Sequence, residues 1–183
     1  MSGSLPEGGF PRLTLVVGGA RSGKSRLAER LVQAAGGVPA YIATAEAWDD
    51  EMAARIARHR EDRGTGWTTV EAPRDLAGAL AGLPGPVLID CATLWLTNVM
   101  LAEAPVVDEV AVLLAALAAH PGPVVVVSNE VGWGIVPENA LARAFRDEQG
   151  RLNQQIASAA DLVVGVMAGL PMVLKGRMPG GVA

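Results

Sequence analysis

Residues 13–31, LTLVVGGARSGKSRLAERL, run from an apolar pentapeptide through a glycine-rich loop into an amphipathic stretch. The loop, Gly18-Gly19-Ala20-Arg21-Ser22-Gly23-Lys24-Ser25, satisfies G-x-x-x-x-G-K-[ST] in the strand–loop–helix setting that the pattern requires. Glycines at these positions let the backbone turn so that successive N–H groups converge on phosphate oxygens at the positive end of a helix dipole. Lys24 then supplies a point charge for the β and γ phosphates, and the Ser25 hydroxyl can ligate Mg²⁺. Arg21 either touches phosphate or points to solvent. The loop therefore predicts a site for a nucleoside triphosphate with its metal.

The rest of the chain repeats the alternation. LTLVV (13–17), AYIAT (40–44), TTVEA (68–72), PVLID (86–90), PVVVVS (123–128) and DLVVGVM (161–167) read as strands, several of them apolar on both faces, as strands of a helix-covered parallel sheet are. PMVLK (171–175) follows after a connection too short for a crossover helix, so it should pair antiparallel with its neighbour. Helices are expected at about 24–35, 49–63, 74–82, 93–101, 107–119 and 137–159, with Pro137 at the first position of the last. Ala142, Phe145, Leu152 and Ile156 give that helix an apolar stripe for the sheet. The fold class that follows is α/β, a three-layer P-loop NTPase (RecA-like) fold, mostly parallel with an antiparallel C-terminal strand.

With 183 residues, half of them hydrophobic, the chain can bury one full core. A single domain over 13–176 is expected between flexible Gly- and Pro-biased tails at 1–12 and 177–183. The first dozen residues do not read as a secretory signal, and no apolar stretch approaches the length of a membrane span. The 15 Lys and Arg against 19 Asp and Glu leave a net charge of −4 and no basic block, which argues against nucleic acid or an anionic membrane as partner. The single cysteine, Cys91, excludes an internal disulfide and fits a reducing, cytoplasmic setting; it reads as a small buried hydrophobe at a strand end. Trp95, among apolar neighbours, reads as core, whereas Trp48, Trp67 and Trp133 either fill the core or offer apolar surface to a ligand.

A phosphate-loop site needs an acid at the end of a second strand to hold the metal. Asp90 closes PVLID and is preferred for it; Glu130, one strand later, is left to position a substrate or water. The segment at 49–63 carries further chemistry. Asp49 or Asp50 can cap a helix on which Met52, Ile56, His59 and Arg63 fall near one face, with Arg55, Arg58 and Arg60 close by and Glu61 and Asp62 offsetting part of the charge. A neutral histidine among phosphates can attack phosphorus. The same pattern also describes a solvated arginine-rich helix with a surface histidine. His120, in a turn before Pro121, reads as structural.

Taken in order, GGARSGKSRLAERL, YIATAEAWDDEMAARIARHREDRGTGWTTVEAP, VLIDCATLWLTNVM, VSNEVGWGIVPENALARAFRDEQGRLNQQIA and ADLVVGVMAGLPMVLK resemble the bifunctional adenosylcobinamide kinase/adenosylcobinamide-phosphate guanylyltransferase family, over about residues 13–176. The resemblance implies two reactions. The hydroxyl of the aminopropanol arm of adenosylcobinamide takes the γ-phosphoryl group of ATP or GTP; GTP then gives GMP to that phosphate through a GMP-histidine intermediate, and pyrophosphate leaves. It implies His59 as the nucleophile, and nucleotide contacts on the loop 18–25, Thr44, Arg60, Glu61, Asp62, Arg63, Glu71 and Asp90. It further implies a homotrimer whose corrinoid meets more than one subunit. A plain small-molecule kinase, a RecA-like motor and a non-catalytic nucleotide sensor are the competing readings.

Overall fold

The computed structural model describes residues 9–46 and 66–182. The helix expected at 49–63, with His59 and Arg60 to Arg63, and Trp48 lie outside the described residues. Strands β1 (Leu13–Gly18), β2 (Ala40–Ala43), β3 (Thr68–Glu71), β4 (Val87–Asp90), β5 (Val124–Asn129), β6 (Leu162–Met167) and β7 (Leu170–Lys175) form one sheet in the order β3-β2-β4-β5-β1-β6-β7. Every pairing is parallel except that of β6 with β7. Met167 and Leu170 flank a two-residue turn in which Ala168 and Gly169 have φ of 52° and 81°. Positive φ at both central positions is the turn geometry whose twist suits a hairpin, and it accounts for the antiparallel return.

Among the described residues the helices are α1 (Lys24–Ala34), α2 (Leu76–Ala81), α3 (Ala92–Leu101), α4 (Val106–Ala119) and α5 (Ala140–Ala159). They divide the core in two. Leu15, Ile89, Val124 and Val126 pack against Leu76, Trp95, Leu113, Leu152 and Ile156 on one face, while Val16, Leu88, Val125 and Val127 pack against Leu27, Ala28 and Leu31 of α1 on the other. Strands apolar on both faces are thus covered on both faces, each fully buried Val, Leu or Ile contributing about 1.5–3 kcal/mol. Truncating Ile89, fully buried in the middle of the sheet, to Ala would cost about 2–5 kcal/mol.

Three local expectations are corrected. The long helix begins at Ala140, not at Pro137: the Asn139 side chain accepts from the N–H groups of Leu141 and Ala142, at 2.7 and 3.2 Å, and this cap fixes the start three residues later. The C-terminal segment returns to the body, where Val182 is buried against the α1 core and its carbonyl accepts from Arg30 at 2.6 Å. Residues 9–12, expected in a loose tail, are likewise tied down. Phe10 packs on the same core, and the Arg12 guanidinium donates to the His120 carbonyl.

Candidate nucleotide site

Because β1 to β6 run parallel, their carboxyl ends Gly18, Ala43, Glu71, Asp90, Asn129 and Met167 share one rim of the sheet. The glycine-rich loop rises from the middle of it. Gly18 is forced by space: a Cβ there would lie 2.5 Å from the Val166 carbonyl oxygen and 2.7 Å from Ser22 Oγ. Gly23 caps α1 with φ of 96°, a conformation that favours glycine, and the Gly169 N–H donates to the Ser22 carbonyl, so the β6–β7 turn braces the loop from behind. Ala20, Gly19 and Arg21 are exposed, Arg21 at φ 56°. No side chain caps α1 and no acid stands in its first turn, which leaves its N-terminal N–H groups for an anion. Lys24 and Ser25 are half-buried there, with Lys24 Nζ 3.3 Å from the Gly19 carbonyl.

Asp90 ends β4, which is separated from β1 by β5 alone. Its carboxylate accepts from the buried Tyr41 hydroxyl at 3.0 Å. Hydroxyl and carboxylate oxygens are the donor set that a hard divalent cation takes, so Ser25 and Asp90 fit Mg²⁺. Among the described residues there is no cluster of three or more acidic, His or Cys side chains that would hold a metal without substrate. Glu130 differs from Asp90. One of its carboxylate oxygens accepts from the Gly132 N–H at 2.6 Å, shaping the loop that follows, and its own N–H donates to the Gly18 carbonyl at 3.1 Å.

Thr44 and Glu71 fall differently from the loop residues. The Thr44 side chain is buried, its hydroxyl donating to the Cys91 carbonyl and accepting from the Cys91 N–H, both at 2.8 Å. It holds the strand end that carries Asp90. Asn98 braces the same point, donating to the Thr44 and Pro73 carbonyls at 2.8 and 2.9 Å. Glu71 is exposed on the edge strand, four strand spacings or about 19 Å from β1. Cys91 is buried as expected, and burial, reinforced by the Asp90 charge, pushes its thiol up to about 11. Trp95 is core, its indole N–H donating to the Arg74 carbonyl, and Trp67 lies edge-on to Tyr41. Trp133, Ile135 and Val136 are exposed just beyond Glu130.

A polar group that the sequence reading did not single out sits beside the loop. Ser128 donates to Asn153 Oδ1 at 2.6 Å, fully buried Gln149 donates to Ser128 and Asn153, and Asn153 donates to the Asn129 carbonyl. Thr93 accepts from the Asn129 N–H at 2.8 Å. The available signal was a polar Ser-Asn pair ending a run of four valines, and Gln149 and Asn153 one turn apart on the buried side of α5.

Residues 14–174 match the family model described as cobinamide kinase / cobinamide phosphate guanyltransferase. The bifunctional adenosylcobalamin biosynthesis protein CobP of Pseudomonas aeruginosa is 49% identical over 168 residues, covering 89% of this chain and 97% of that protein. The corresponding CobU proteins of Salmonella typhimurium and Escherichia coli are 44% and 43% identical over 181 residues, each covering 89% of this chain and 99% of the relative. Among solved structures, the RadB recombinase matches with a TM-score of 0.51 and 18% identity over 94% of this chain and 86% of that one. A Pyrococcus horikoshii protein matches at 0.54 and 9% over 91% and 87%. These structural likenesses show the fold alone, a RecA-like P-loop architecture.

Proposed function

This chain belongs to the cobinamide kinase / cobinamide phosphate guanyltransferase family, and we propose that it carries out both transfers of that family around the one phosphate loop. The activity is that of an enzyme of adenosylcobalamin biosynthesis. In the first reaction the acceptor hydroxyl of adenosylcobinamide attacks the γ-phosphorus of ATP or GTP, the bond to the β-phosphate oxygen breaks, and the hydroxyl proton is released. This chain's contribution is alignment and charge: the α1 N–H groups cradle the phosphates, Lys24 sits over the β and γ oxygens, and Asp90 faces the site from β4. Ser25 and Asp90 would hold Mg²⁺, which supplies neutralisation of charge on the phosphates when bound.

The second reaction breaks the α–β bond of GTP. A His59 imidazole nitrogen attacks the α-phosphorus and pyrophosphate leaves; an oxygen of cobinamide phosphate then attacks the same phosphorus and releases the imidazole. Arg60 and Arg63 stand near that histidine in sequence and can offset the charge on pyrophosphate, while Glu61, Asp62, Glu71 and Thr44 complete the nucleotide set by resemblance. The homotrimer belongs to the same reading, supported by the apolar edge strand β7, on which Leu170, Met172, Val173 and Leu174 are exposed. A cytoplasmic setting follows from the biosynthetic role. Among the described residues no helix is long and apolar enough to cross a membrane.

The observation that carries this reading is a family match over nearly the whole chain together with a phosphate loop whose donors are left uncapped. Incubation with GTP labelled at the α-phosphate and Mg²⁺ should leave acid-labile, base-stable label on the protein. His59→Ala should abolish the label and guanylyl transfer and keep part of the kinase activity. Full guanylyl transfer by the alanine variant, or GMP mapped to His120 or Lys24, overturns the assignment of the nucleophile.

A further inference from the structure

Helix α5 packs over β1 and runs against the direction of the parallel strands. Its last turn sits at the amino end of the sheet, where the Asp161 N–H that follows it donates to the Leu13 carbonyl, so residues nearer its start approach the carboxyl rim. Gln149 is level with Ser128, near the end of β5, and donates to it at 2.9 Å. Arg146 precedes Gln149 by three residues and Asn153 by seven, which puts all three on one side of the helix. At 1.5 Å per residue its Cα lies about 4.5 Å beyond that of Gln149, and helical side chains incline toward the helix N-terminus. The guanidinium is thereby carried past the end of β5, to the rim that bears the phosphate loop.

The other two arginines of α5 are engaged. Arg143 donates to the Pro137 and Glu138 carbonyls at 2.9 and 2.5 Å, and Arg151 pairs with Glu148. Arg146 makes no hydrogen bond among the described residues; its one ion pair there is with the neighbouring Asp147, at 4.0 Å from Nε. Yet its side chain is only 23% exposed, against 58% for that of Asp147. A guanidinium largely withdrawn from water normally has its forked donors taken up by carboxylate, carbonyl or phosphate oxygens, and here a single contact at the limit of an ion pair stands in for them. The loop that leads into α5 adds a second feature. It starts at Glu130, whose N–H donates to the Gly18 carbonyl, and it exposes Trp133, Ile135 and Val136 before the Asn139 cap. Cation and apolar surface thus belong to one stretch of chain rooted at the phosphate loop.

We propose that Arg146 holds the acceptor's phosphate, the phosphate monoester that the first transfer makes and the second consumes, through paired N–H donors on two phosphate oxygens. Helices α1 and α5 cover opposite faces of the sheet. Nucleotide phosphates at the start of α1 and an anion on Arg146 therefore face each other across the ends of β1 and β5, as donor and acceptor must for transfer between them. The planar guanidinium fork suits a phosphate monoester, and exposed Trp133 and Ile135 suit the flat ring of a corrinoid in place of a triphosphate. This inference rests on the cobinamide reading above and adds to it the residue that distinguishes the phosphorylated acceptor from the free alcohol.

The test is titration calorimetry of the full chain with adenosylcobinamide and with adenosylcobinamide phosphate, for the wild type, Arg146→Gln and Arg146→Lys. The wild type should bind the phosphate form more tightly. Arg146→Gln should lose about 10- to 100-fold in affinity for that form and keep its affinity for the alcohol within about twofold. Arg146→Lys, which keeps the charge without the fork, should lose less, about three- to tenfold, and again for the phosphate form alone. Should the glutamine variant fail to fold, the lysine variant decides. Equal losses for the two corrinoids, or no loss for either, overturn the inference. So does a comparable loss for guanosine 5′-(β,γ-imido)triphosphate with Mg²⁺, since the arginine would then serve the nucleotide. A wild type that binds the imido-triphosphate and neither corrinoid overturns the cobinamide reading, and this inference with it; one that binds both corrinoids equally overturns this inference alone.

Discussion

The two ends of the sheet put their polar side chains to different purposes. At the amino end, His120 Nε2 lies 2.9 Å from the Gly85 carbonyl, and the His120 carbonyl accepts from Arg12. There too, Asp161 accepts from the backbone N–H groups of Arg12 and Leu13 at 2.8 and 3.2 Å. These bonds close neighbouring loops onto one another, and Gly122 packs so tightly that a Cβ would lie 2.6 Å from the Gly85 carbonyl. At the carboxyl end, Thr93, Asn98, Gln149 and Asn153 also hold backbone, yet beside them the first turn of α1 has no side-chain cap, and Lys24 makes its bond to the Gly19 carbonyl at an exposed position. Burial of polar side chains is thus no marker of function. What marks it is a rigid frame set beside a helix N-terminus that no side chain caps.

Lys24→Ala should break this contrast from its open side. The lysine has no buried structural partner, so the variant should fold normally, while both transfers fall together by about 10²–10³-fold, because the charge over the phosphates serves each of them. Steady-state rates for kinase and guanylyl transfer, set beside a thermal melt, measure it. Near-normal rates in a folded variant would remove this loop as the nucleotide site.

How much of this was legible in the sequence follows the same division. The strands could be read because each apolar run, such as PVLID or PVVVVS, is short, bounded by turn residues and apolar on both faces. The phosphate loop could be read because its geometry is local, made by consecutive residues. The frame around it is not local. Thr93, Ser128, Gln149 and Asn153 come from three elements and meet only because β5 inserts between β1 and β4, a strand order that no periodicity encodes. Pro137 was a plausible helix start on φ alone, but Asn139 supplies an acceptor for two N–H groups and prevails. Gly and Pro near the C-terminus suggested a loose tail, whereas the seating of Val182 against α1 is a tertiary contact invisible to composition.

Cys91 marks the boundary between the open and the closed groups. It adjoins Asp90, yet its thiol is sealed in the α1 core, and burial first, then the Asp90 charge, raises its pKa from 9.0 to about 11. Between those values the unfolded chain gives up the thiol proton and the folded chain keeps it, so this group's stabilising contribution is complete below pH 9 and is lost as pH rises through 11. The loss amounts to about 2–3 kcal/mol. Urea midpoints at pH 8, 9.5 and 10.5 should fall more steeply for the wild type than for Cys91→Ala. Parallel pH dependences for the two proteins would place the thiol among the accessible groups.

His120→Gln sharpens the contrast from the closed side and should be the mildest change. The Gly85 carbonyl can only accept, so the ring nitrogen beside it, Nε2, carries the proton, and a glutamine amide can offer a donor to the same oxygen from a side chain of similar reach. Imperfect replacement of that bond and looser packing between the two loops should cost about 1 kcal/mol, lowering the melting temperature by about 2–4 °C. Neither kcat nor KM for either transfer should move, because this end of the sheet lies a full strand length from the phosphate loop. A changed kcat in a variant of near-native stability would mean that the amino end is coupled to catalysis, and the division of labour between the two ends would fail.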